Sequence, residues 1–106
     1  MQKPRVKLPD SATVGEVIEI KTIISHNMET GQRKDLDGKI IPRNIINRFV
    51  ATFNGKPVFT ANLGTGISAN PYIAFTMKVP GPGVFEFTWT EDGGASTTEK
   101  QTLNVA

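Results

Sequence analysis

The chain has 106 residues, enough for one domain with a modest core. It contains no cysteine, which excludes disulfides, thiolate metal sites and a cysteine nucleophile while leaving the redox compartment open. Twelve Lys and Arg against ten Asp and Glu give a formal charge of +2, too small and too interspersed for a nucleic-acid footprint.

The charge is unevenly spread, +3 over residues 1–50 and −1 over residues 51–106, so electrostatic steering of a partner belongs to the first half. Met1 to Asp10 are charged and proline-bearing, with no apolar h-region. No transmembrane span or lipidation motif follows, and the residues alone point to the cytoplasm and away from membranes.

The hydrophobic period is two throughout. Arg5 to Leu8 reads as an edge strand, and Val17 to Ile24 as a strand with Ile18, Ile20 and Ile24 sharing a face across Thr22. A long polar connection then runs from Ser25 to Ile41. It holds the only histidine, and it exceeds the usual loop of about four to six residues. Ile45 to Phe53 is a strand with Phe49, Ala51 and Phe53 in phase. Asn54-Gly55 is a type I′ hairpin signal, because both central residues need positive φ. Lys56 to Asn62 follows. Ile73, Phe75, Met77 and Val79 then alternate with Ala74, Thr76 and Lys78 after the break at Asn70-Pro71.

Pro80-Gly81-Pro82-Gly83 cannot lie inside a strand. Phe85, Phe87 and Trp89 alternate with Glu86, Thr88 and Thr90, which is the pattern of a half-buried strand with Trp89 in the core. Asp92-Gly93-Gly94 links it to a last strand, Thr97 to Val105. About seven short antiparallel strands with regular turns predict an all-β, immunoglobulin-like β-sandwich forming a single domain over residues 1–106. Two strands carry apolar residues on both faces: Val17 and Ile23 lie opposite the Ile18 face, and Ile46 and Val50 opposite Phe49 and Phe53. Either a further surface covers one sheet, or these residues serve only strand propensity.

Equipment for chemistry is sparse. His26 is the single candidate general base, and Ser25 beside it would point to the other side of a strand, so no nucleophile–base–carboxylate set forms. Asp35-Leu36-Asp37-Gly38 is similar to part of a calcium loop, but Ile46 stands where the closing Glu belongs, which leaves a tight turn. Gly64-Thr65-Gly66-Ile67-Ser68 has no following helix to receive a phosphate, because Asn70-Pro71 intervenes. No cofactor or metal is expected. The residues favour a binding or scaffold domain over an enzyme, with Ser25 to Ile41 meeting a partner.

Gly15-Glu16-Val17-Ile18-Glu19-Ile20-Lys21-Thr22, followed by Ser25-His26-Asn27-Met28-Glu29-Thr30-Gly31-Gln32-Arg33, resembles the SoxZ family of bacterial thiosulfate oxidation. The likeness continues through Ile41-Pro42-Arg43-Asn44-Ile45-Ile46-Asn47-Arg48-Phe49, Asn70-Pro71-Tyr72 and Phe87-Thr88-Trp89-Thr90-Glu91-Asp92, and covers nearly the whole chain. One departure is Asn27, where the family pattern has proline.

The resemblance implies a non-catalytic subunit that pairs with SoxY as an obligate heterodimer, or a pair of heterodimers. The partner's cysteine, in a Gly-Gly-Cys-Gly-Gly tail, carries sulfur intermediates covalently while other Sox enzymes dock transiently. It also implies a periplasmic location, with export on the SoxY signal, in place of the cytoplasmic reading. Candidate partner-binding residues are then Val17, Ile23, Ile46 and Val50 on the bifacially apolar strands, Arg48, and His26, Met28, Glu29 and Arg33 in the loop. Arg33, Lys34, Arg43 and Arg48 are candidates for steering acidic partners. The alternatives are a free-standing immunoglobulin-like binding module, a SoxYZ-like carrier subunit of another pathway, or a hydrolase built on His26.

Overall fold

The computed structural model describes residues 4–25, 34–40, 44–64 and 71–105. Seven strands form two antiparallel sheets. They are β1 (Arg5–Lys7), β2 (Val17–Ile23), β3 (Ile46–Phe53), β4 (Lys56–Asn62), β5 (Tyr72–Lys78), β6 (Gly83–Glu91) and β7 (Ser96–Leu103). One sheet has the order β1-β2-β5 and the other β4-β3-β6-β7. The all-β sandwich and its strand pattern are as the alternation predicts.

Period-two alternation sends one face of each strand into the space between the sheets. Ile18, Ile20, Thr22 and Ile24 are buried on one side, and Phe49, Ala51, Phe53, Phe85, Phe87 and Trp89 on the other. The rings interlock: Phe49 lies 5.1 Å from Trp89, Phe53 4.7 Å from Phe85, and Phe59 stacks on Phe75 across the sheets at 4.8 Å. Each large apolar side chain so buried contributes about 1.5–3 kcal/mol. Among the described residues Thr22 is the buried polar side chain, and its hydroxyl donates to the Ile73 carbonyl at 2.9 Å. That bond removes the penalty for burying the hydroxyl.

The turns follow their residues. Asn54 (φ 51°) and Gly55 (φ 83°) adopt the left-handed region that a I′ hairpin needs. The Asn54 side chain accepts from the Val84 N–H at 3.0 Å, which ties the β3–β4 turn to the start of β6.

One residue faces the opposite way from the expectation. Ile46 is fully buried rather than on the outer face with Val50. In the β3–β6 pairing, Ile46 stands opposite Glu91 and Arg48 opposite Thr90, so Asn47 is an extra residue forming a bulge. The bulge reverses the parity of the strand and turns Ile46 inward beside the Phe49 face.

Candidate protein-docking surfaces

Burying the inner faces leaves two outer ones, and they differ in kind. On the β4-β3-β6-β7 sheet the outward residues are mostly threonines and valines. Thr88 and Thr98 are directly paired and their hydroxyls lie 3.1 Å apart. Glu86 and Lys100 are likewise opposite each other, with a 3.5 Å ion pair. Val50 is half-buried between Thr60 and Thr88, while Val58 and Val84 are exposed. Arg48 is exposed beside Asn62 and Thr90.

The outer face of β1-β2-β5 is not balanced. Antiparallel register places Lys7 directly opposite Lys21, Arg5 opposite Ile23, and Val17 opposite Lys78. Among the described residues Glu19 is the one acid on the strands of this face, and it is held 3.4 Å from Lys21 by the two-residue spacing within β2. Apolar side chains lie among these cations: Val17 is 65% exposed, Tyr72 58% and Ile23 37%. Ile23 and Tyr72 are neighbours across β2 and β5. With Arg5, Val6, Lys7, Lys21 and Thr22 they line an open cleft of about 200 Å³.

A third feature fixes the chain where it rejoins the sandwich at Asn44. The Asp92 carboxylate accepts from the Ile45 N–H at 3.3 Å and the Asn47 amide at 2.9 Å, and the Asp92 N–H donates to the Ile45 carbonyl at 2.9 Å. The Gly93 N–H donates to the Asn44 side chain at 3.3 Å. The β6–β7 turn thereby grips the start of β3. Further back, Lys34 and Ile40 bridge a small turn in which Asp35 accepts from the Asp37 and Lys39 N–H groups at 2.9 and 3.0 Å. Asp35 and Gly38 (φ 81°) thus close the tight turn that Asp37-Gly38 predicts.

Of the residues singled out from sequence, Val17 and Ile23 lie on the three-stranded face, at opposite ends of β2. Arg48 and Val50 lie on the four-stranded face, and Ile46 is in the core. His26, Met28, Glu29, Arg33, Arg43 and residues 65–70 lie outside the described residues. The cationic set Arg5, Lys7, Lys21 and Lys78, and Tyr72 beside Ile23, were not singled out. Alternation within each strand indicates their common parity, but only the pairing of β1 and β5 with β2 puts them on one face. Among the described residues no group of three or more His, Cys, Asp or Glu side chains could hold a metal ion, and no helix is long and apolar enough to cross a membrane.

The family described as Sulphur oxidation protein SoxZ matches residues 6–102. The chain belongs to the SoxZ family. The match takes in β2 to β6 whole, all but the first residue of β1 and the last of β7, and the Asn44–Asp92 corner. Membership makes this chain a component of sulfur oxidation by the Sox system. No curated protein sequence matches it. Among solved structures, the superoxide reductase (neelaredoxin) of Ignicoccus hospitalis is similar with a TM-score of 0.77 at 12% identity, covering 99% of this chain and 81% of that one. Two further structures of that protein align with TM-scores of 0.76, also at 12% identity, covering 97% of this chain and 79% of theirs. At that identity the SoxZ-family chain and the reductase share a fold, and nothing about activity follows.

Proposed function

We propose that this SoxZ-family chain is the non-catalytic subunit of a SoxYZ carrier in the periplasm. It pairs with SoxY, whose C-terminal cysteine holds sulfur intermediates, and it supports the docking of the other Sox enzymes. The family match over residues 6–102 carries this reading. The absence of cysteine agrees with it, since all covalent chemistry would then belong to the partner. A thiol on a glycine-flanked arm needs a rigid base, and a sandwich with interlocked aromatic rings supplies one.

The four-stranded face suits the permanent contact with SoxY better than the three-stranded one. Val50, Val58 and Val84 offer apolar area among neutral threonines, and Glu86 and Lys100 already neutralise each other. Stable interfaces deplete unpaired charge at their centres, and apolar area removed from water contributes roughly 25 cal/mol per Å².

Co-expression with SoxY tests the reading. A single species of the summed mass is expected in size-exclusion chromatography with light scattering, recovered from the periplasmic fraction. Intact-mass spectrometry of the pair should find sulfur adducts on the SoxY cysteine. A stable monomer that ignores SoxY would overturn it.

A further inference from the structure

The charge on the outer face of β1-β2-β5 is not required by the fold. Lys7 and Lys21 stand directly opposite each other on adjacent strands, an arrangement that destabilises a sheet. Glu19 relieves only Lys21. Arg5 and Lys78 extend the same sign to both ends of the face. The other sheet solves the same problem with a matched Glu86–Lys100 pair, so the imbalance belongs to one face. Within the cations the cleft lined by Ile23 and Tyr72 is open and largely apolar.

We propose that this face is the surface on which an acidic, transiently visiting protein docks, its carboxylates meeting Arg5, Lys7, Lys21 and Lys78 and one apolar side chain entering the cleft at Ile23 and Tyr72. The proposal rests on the carrier reading above and adds the surface and its chemistry. Charge complementarity sets the sign of the visitor. It also argues against SoxY as the occupant, because permanent burial of four cations against one acid would demand a full set of partner carboxylates. A solvated cationic face instead raises the rate of encounter and lets the visitor leave again. A carrier that must serve several enzymes in turn needs both properties.

The test uses the assembled carrier, immobilised through SoxY, with each purified Sox enzyme and an acidic peptide of glutamates flanking one leucine as probes. Binding should weaken as salt rises. The double variant Lys7→Glu/Lys21→Glu should weaken it about tenfold or more through the association rate. Lys56→Glu beside the Asn54–Gly55 turn, off this face, should leave it unchanged. Ile23→Ser should weaken binding with the salt dependence preserved, because the cleft contact is uncharged. The neutral pair Lys7→Gln/Lys21→Gln gives the same direction of change if charge reversal impairs folding.

Unchanged docking by both Lys7/Lys21 variants would overturn the proposal while leaving the carrier reading intact. Folded variants that no longer assemble with SoxY would also overturn it, by assigning this face to the partner subunit. Self-association of the wild type that the variants abolish would assign it to a second copy, with the same consequence. If no Sox enzyme binds the wild-type carrier, the docking part of the carrier reading falls with it.

Discussion

Asn54 and Gly83 hold the far end of the sandwich together through a contact with no spare room. A Cβ built on Gly83 would lie 2.5 Å from both the Asn54 Oδ1 and the Phe53 ring. Gly83→Ala should therefore destabilise the fold by about 1–3 kcal/mol, read as a lower urea midpoint, because neither the turn nor the buried ring can give way freely. At the other end, Asp92→Ala would strand the Ile45 N–H and the Asn47 amide. A loss of about 1–3 kcal/mol is expected, with faster amide exchange at Ile45 as a local signature. Lys7 gives the opposite sign. Lys7→Glu alone places a carboxylate opposite Lys21 and should raise stability by about 0.2–1 kcal/mol while weakening docking. A thermal melt measures the first effect and the binding assay the second.

At the scale of elements, the strands were legible because alternation is local. Ile18, Ile20 and Ile24, or Phe85, Phe87 and Trp89, declare a buried face without knowledge of any neighbour. The Asn54-Gly55 turn was legible for the same reason, since positive φ narrows the choice of residue. Ile46 was not, because its facing is decided by a bulge that exists only in the pairing of β3 with β6. Ile46→Ala tests this. It empties a buried site rather than trimming an outward side chain, so it should cost about 2–5 kcal/mol, read as a lower urea midpoint. The shared face of Arg5, Lys7, Lys21 and Lys78 was hidden for a similar reason. Those four positions are spread over three strands, and sequence does not say which strands lie side by side.

At the scale of the whole molecule, the shape is long, 59 × 20 × 19 Å, with a radius of gyration of 16.2 Å. A compact chain of this length would have about 13 Å. The molecule also has two distinct ends. Only Val79 to Pro82 separate β5 from β6, so Lys78 and Val17 lie toward the Asn54–Gly55 turn. Ile23 and Tyr72 lie at the opposite end of their strands, the end from which the chain departs for Ser25 and returns at Asn44. The Asn54–Gly55 hairpin is therefore a handle. In a chain without cysteine, Lys56→Cys would place a unique thiol just past that turn. Coupling through it would mount every molecule on a sensor in one orientation, with the cleft facing the flowing solution.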